Sequence, residues 1–202
     1  MFQNRQEAGK LLANELNSKD FKNSIVVAIP RGGVVNGFEI AKILRLPLEL
    51  ILVKKIGHPL NPEFAVGAVS EHQVLLEDKS LFTQDELEKK VTDLRKKLKK
   101  QKLQFYKKRK SYSLSGKNII LTDDGAATGN TMFLCVKELR SVNVNQIKIA
   151  LPVCPYDTFL KLKRVADEII CLEIPSNFDS VGQFYKEFDQ VENEEVERLF
   201  NF

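Results

Sequence analysis

Apolar residues gather into short continuous runs at 25–29, 48–53, 117–122, 146–151 and 168–174. Unbroken runs of strand length suit strands buried on both faces, as in parallel sheets. Helical spacing predicts helices between them, over 5–16, 34–44 and 129–141, and from Pro155 to about residue 165. In the first, Ala8, Leu11, Leu12 and Leu16 share one face. Residues 65–69 and 73–76 are β-like and close enough for a hairpin. A long helix is predicted over 83–108. Leu87, Val91, Leu94, Leu98 and Phe105 keep its period, Gln101 fills one step, and Thr83 with Glu86 makes a capping box. The alternation predicts an α/β fold: a mostly parallel twisted sheet with helices on both faces.

The pattern changes at Pro175. Phe178, Phe184, Tyr185 and Phe188 fall within eleven residues of little periodicity, and an acidic helix follows over 192–200. We expect a core over 1–174, interrupted by a long basic helical insertion at about 77–113. Residues 175–202 are expected to form a small C-terminal hood rather than a domain of their own.

Composition narrows the class. A hydrophobic fraction of 43% in 202 residues suits one soluble domain. No apolar run approaches the roughly 20 residues of a membrane span, and the N-terminus lacks the pattern of a signal peptide. Cys135, Cys154 and Cys171 are far apart in the sequence and lie in apolar segments, so we expect buried thiols in a reducing cytoplasm. With His58 and His72 the only histidines, no transition-metal site is expected. The net charge of +4 is uneven: residues 89–110 hold twelve basic residues and one acid, and the rest of the chain is net −7.

The chemistry concentrates in Ile119-Ile120-Leu121-Thr122-Asp123-Asp124-Gly125-Ala126-Ala127-Thr128-Gly129-Asn130-Thr131. A buried-looking strand stops at two carboxylates, where open parallel sheets bind ligands. Adjacent carboxylates accept hydrogen bonds from a vicinal diol. The small residues that follow expose backbone N–H groups to an anion, and the Thr128 and Thr131 hydroxyls add donors. An acidic turn capping a helix through Thr128 is the plainer alternative. A second loop, Ile29-Pro30-Arg31-Gly32-Gly33, follows the first long strand. Lys54 and Lys55 follow the second, and the Pro- and Gly-bearing stretch 57–67 has the composition of a lid. His58 reads more readily as a loop residue than as a catalyst; Glu63, and more weakly Glu71, are candidate acids.

The thirteen residues 119–131 resemble the PRPP-binding motif of the type I phosphoribosyltransferases, and the strand order suits that fold. The resemblance implies that Asp123 and Asp124 hold ribose hydroxyls and that residues 127–131 hold the sugar's phosphate. It implies a pyrophosphate loop at Arg31, Gly32 and Gly33, with a non-proline cis peptide, and Lys54 reaching the same group. Gly125 departs from the pattern, which more often has an aliphatic residue there. Together with residues 55–69 and 181–185, the motif is similar to a bacterial branch described only as predicted phosphoribosyltransferases. The implied reaction displaces pyrophosphate from PRPP with a nitrogenous base, with Mg²⁺ on the leaving group. Ala127 replaces the acid that hypoxanthine-guanine enzymes use on the purine ring. The hood, with Val181-Gly182 and Phe184 or Tyr185, is the candidate base site, unless its aromatics only pin the tail. A homodimer is common among relatives. A PRPP-sensing regulator binding nucleic acid through the basic helix, or a noncatalytic sugar-phosphate module, would use the same fold.

Overall fold

The computed structural model describes residues 1–16, 21–61, 64–76, 78–107 and 109–202. The chain runs α1 (Arg5–Glu15), β1 (Ser24–Ala28), α2 (Gly33–Leu44), β2 (Leu48–Leu50), β3 (Lys54–Gly57), β4 (Ala65–Val69), β5 (Val74–Leu76), α3 (Gln84–Tyr106), β6 (Asn118–Thr122), α4 (Asn130–Ser141), β7 (Gln146–Val153), α5 (Tyr156–Lys163), β8 (Glu168–Glu173) and α6 (Asn193–Phe200). Five strands form a parallel sheet in the order β2-β1-β6-β7-β8. Alternate residues of β1 serve opposite faces. Val26 and Ala28 pack with Leu12, Val34, Ile40 and Phe200 from α1, α2 and α6. Ile25 and Val27 pack with Met132, Leu139 and Leu162 from α4 and α5. The expected mostly parallel sheet with helices on both faces is the observed one.

The run 48–53 is not one strand. β2 ends at Leu50, and Lys54 opens β3 in a separate antiparallel sheet, β3-β4-β5. Leu52 turns to join Ile56, Val66, Val91 and Leu98 under α3. An unbroken apolar run cannot reveal where it changes sheets. Leu11 is 41% exposed, while Ala8, Leu12 and Leu16 are buried, because three and four residue steps from Leu12 leave Leu11 at the edge of the stripe.

Buried carboxylates fasten this outlying layer to the core. Glu49 of β2 accepts from the Tyr106 and Ser111 hydroxyls and the Tyr112 N–H. Glu138 of α4 accepts from the Ser70 hydroxyl at 2.5 Å and the His72 N–H at 3.2 Å, and lies 2.5 Å from His72 Nδ1. Burial pushes the Glu138 carboxyl up, but the hydrogen bonds from Ser70 and His72 outweigh it, leaving it below its ordinary value. The capping box at Thr83 and Glu86 starts α3 as expected. Cys154 and Cys171, distant in sequence, lie 3.5 Å apart across the neighbouring ends of β7 and β8. No helix among the described residues is long and apolar enough to cross a membrane.

Candidate active site

The sheet order reverses between β1 and β6: one half winds outward to β2, the other to β7 and β8. Loops leaving the two central strands diverge at such a point and open a crevice. The Ile29 N–H donates to the Thr122 carbonyl at 3.0 Å, so the loops start side by side. The Pro30–Arg31 peptide is cis. A Cβ on Gly32 would sit 1.8 Å from Asp124 Oδ2, and one on Gly33 2.7 Å from Asp123 Cα. Close approach of the two loops, rather than a turn, therefore requires the glycines. The two sequence motifs form one wall.

Asp124 has a partner that pattern reading missed. Arg5, the first residue of α1, donates from Nε to Asp124 Oδ2 at 2.7 Å, with both side chains largely buried. Its Nη1 donates to the Asp189 carbonyl at 2.8 Å, and its guanidinium lies 3.7 Å from the Phe188 ring centre. The Tyr185 hydroxyl donates to the Asp124 carbonyl at 2.7 Å, and Asn36 Nδ2 to the Asp123 carbonyl at 3.1 Å. Burial, then the charge of Asp124, holds the Tyr185 hydroxyl well above its ordinary value, so it remains a donor. Its ring packs between Phe2 and Phe188 and offers no open stacking face. Phe184 is partly exposed and stacks on Phe178 at 5.5 Å.

The Asp123 carboxyl accepts from the Asp124 N–H at 2.8 Å. Burial, and then the charge of Asp124, hold it well above the usual carboxylate range; that N–H and Arg5 pull it down only in part. A carboxyl raised on folding favours the folded state while protonated. That contribution is lost as pH rises from the ordinary carboxylate range through the raised value. Asp123→Asn is therefore expected to unfold at higher urea than the wild type near neutral pH, with the gain vanishing below about pH 4. A midpoint that falls or stays put at neutral pH would contradict a strained carboxylate.

The loop after Asp124 is held at its base and open at its tip. The Ala126 N–H donates to the Val153 carbonyl at 3.1 Å, and the Thr158 hydroxyl to the Ala127 carbonyl at 2.6 Å. Ala127 and Thr128 are exposed; Asn130 and Thr131 are partly so. Thr128 does not cap α4. Gly129, at φ +79°, precedes the helix with no side-chain cap, so the first helical N–H groups suit an anion. Gly125 also finds its reason: a Cβ there would lie 2.6 Å from Val181 Cγ1. The tail fills the space an aliphatic residue would take.

Lys54 and Arg31 line one cavity, whereas Lys55 is exposed on β3. His58 is a loop residue whose Nδ1 accepts from the Leu60 N–H at 3.1 Å. Glu71 pairs with Lys102 at 2.8 Å, and Glu63 lies outside the described residues. Among the described residues, no three His, Cys, Asp or Glu side chains gather as a metal site.

A family model described as a phosphoribosyl transferase domain matches residues 2–188. A Mycobacterium tuberculosis protein named "Putative phosphoribosyl transferase Rv0571c" is 34% identical over 201 residues, which cover 97% of this chain and 45% of that protein. The chain thus spans less than half the length of this curated relative. The crystal structure of TT1426 from Thermus thermophilus has a TM-score of 0.84 at 34% identity, covering 98% of this chain and 97% of that one. A purine phosphoribosyltransferase from Pyrococcus horikoshii shares the fold at 18% identity and TM-score 0.51, covering 93% and 92% of the two chains. The family match begins before Arg5 and ends at Phe188, whose ring covers it, so it takes in both loops of the crevice and the residues that hold Asp124: the chain belongs to the phosphoribosyl transferase domain family.

Proposed function

We infer that the chain transfers the phosphoribosyl group of PRPP to a nitrogenous base. The observation that carries this reading is the packing of Gly32 and Gly33 against Asp124 and Asp123, which joins the two proposed halves of a PRPP site. Asp123 and Asp124 accept the ribose hydroxyls. The backbone of Ala127, Thr128, Gly129, Asn130 and Thr131 holds the sugar's phosphate, while Gly125 and Ala126, buried at the base of the loop with the Ala126 N–H already spent on Val153, shape it. Arg31, Gly32, Gly33 and Lys54 take the pyrophosphate, and the partly exposed Phe184 contacts the base. The base nitrogen forms a bond to the anomeric carbon as the bond to pyrophosphate oxygen breaks. Pyrophosphate leaves with the electron pair, and the nitrogen's proton passes to solvent. The charge that develops on the sugar is oxocarbenium-like, so the chain's main tasks are to position the sugar and exclude water.

The donor set suits Mg²⁺ carried on substrate oxygens and water: the crevice offers two carboxylates, one of them tied to Arg5, rather than a protein cage. When bound, Mg²⁺ supplies positive charge to the departing pyrophosphate. Ala127 has no group to act on a purine ring.

The test is PRPP binding with Mg²⁺, followed by a screen of bases for pyrophosphate release. Asp123→Asn combined with Asp124→Asn is expected to weaken PRPP binding tenfold or more, about 1.4 kcal/mol, with circular dichroism unchanged. A folded double variant of unchanged affinity would remove this assignment. The exposed lysines Lys89, Lys96 and Lys99 of α3 supply a basic face for the second reading, a PRPP-sensing nucleic-acid binder. Salt-sensitive RNA or DNA binding, with no pyrophosphate release for any base, would favour that reading.

A further inference from the structure

Several basic residues of the α3 segment have clear partners. Lys102 pairs with Glu71 and Lys107 with Glu197, each at 2.8 Å. Lys97 and Lys100 face a different setting. With Arg31, Lys54, Gln101 and Gln104 they line a cavity of about 680 Å³ beside the cis Pro30–Arg31 peptide. No carboxylate lines it, and among the described residues none of these four cations forms an ion pair with an acid. The crowding is felt: burial, then the charges of Arg31 and Lys97, hold the Lys54 ammonium below its ordinary value. Unneutralised cations that share a cavity gain nothing for the fold, whereas an anion among them is attracted by all four.

We propose that this cavity binds a linear chain of three or more phosphates, carried by a nucleoside triphosphate or by an inorganic oligophosphate. The cations stand on two walls. Arg31 and Lys54 belong to the core; Lys97 and Lys100, three residues apart, present one face of α3. A diphosphate held by the core wall leaves the helix wall unmet, and a longer chain engages both. The volume falls in the roughly 300–1,000 Å³ range of pockets that enclose whole ligands. Gln101, the polar step in the apolar stripe of α3, adds a neutral donor one turn along the helix from Lys97. Because Arg31 and Lys54 are shared with the proposed pyrophosphate position, the occupant competes with PRPP; only that competition rests on the transferase reading.

Titration calorimetry with pyrophosphate, tripolyphosphate and ATP, at one fixed salt concentration, tests the site. Tripolyphosphate is expected to bind about tenfold more tightly than pyrophosphate, since the added phosphate gains charge-assisted hydrogen bonds from α3. Lys97→Gln with Lys100→Gln should erase that preference. Lys89→Gln with Lys96→Gln removes the same charge from the same helix outside the cavity and should retain it. ATP binding more tightly than tripolyphosphate assigns the site to nucleotides, and the reverse order to inorganic chains. Equal wild-type affinities for pyrophosphate and tripolyphosphate, or a preference that survives Lys97→Gln with Lys100→Gln, overturns the proposal. PRPP titrated into the same samples separates the claims. Absent PRPP binding with the preference intact defeats the transferase reading alone; normal PRPP binding without the preference defeats this site alone.

Discussion

Replacing Arg5 by leucine is expected to destabilise the protein by about 3 kcal/mol, the lower end for breaking a buried ion pair because both side chains keep some exposure. Arg5 donates to Asp124 and also pulls the neighbouring Asp123 carboxyl back toward its ordinary range. Without Arg5, Asp123 is raised further on folding. A raised carboxyl loses its stabilising contribution as pH rises, so the deficit of the variant should widen between about pH 5 and about pH 8. The same change frees the tail, because Arg5 also holds the Asp189 carbonyl and the Phe188 ring. PRPP affinity should therefore fall with stability. Arg5→Lys separates the two effects. It restores a charge near the carboxylates, hence the pH-dependent part, but lacks the planar fork that reaches Asp124 and Asp189 together. Urea unfolding of the three proteins at both pH values is the measurement. An equal deficit at both would mean that Arg5 acts through packing alone.

What the sequence made legible was local. The strand ending at Asp123-Asp124, the small-residue loop and the following helix could be read because all their determinants lie within thirteen residues. The glycines of the first loop were legible as glycines, but not what they meet, since Asp123 and Asp124 are some ninety residues away. Arg5 lay beyond any local reading. Its one clue is electrostatic: a cation at the first position of a helix opposes the helix dipole, which hints at a partner elsewhere. Asn36 gives a similar clue, a polar residue in the apolar stretch Val34-Val35-Asn36 that reaches the Asp123 carbonyl. The tail aromatics could be counted, but burial decides which can stack on a ligand. Tyr185 is covered and Phe184 is partly open. The split of 48–53 between two sheets was hidden because both halves are apolar, and the periodicity of either fits a strand.

Gly33→Ala is expected to disable the site more than it disturbs the fold. Alanine is the better helix former by about 1 kcal/mol, and Gly33 opens α2, so local propensity favours the change. Close packing opposes it. The new Cβ would lie 2.7 Å from Asp123 Cα, 2.8 Å from Asp123 Oδ1 and 3.1 Å from the Thr122 carbonyl oxygen. Two of these are backbone atoms at the end of a central strand, so no side-chain rotation relieves the contact. Overpacking of this kind costs about 1–3 kcal/mol, which exceeds the propensity gain and leaves a net loss on the order of 1 kcal/mol. The consequence for binding is larger, because the clash is relieved by moving Asp123 away from the first loop. A displacement of about 1 Å can cost on the order of a hundredfold in a site that works by positioning. Gly37→Ala, one turn further along α2, is the matched control: its Cβ would meet the Ala28 side chain at 2.7 Å and Leu48 Cδ1 at 3.2 Å, inside the core, and would touch Thr122 only at an ordinary 3.4 Å with no carboxylate atom among its nearest contacts. It should lose comparable stability while keeping PRPP affinity. If the two variants lose PRPP binding equally, the contact between the loops is a packing feature of the fold, and Gly33 does not set the position of Asp123.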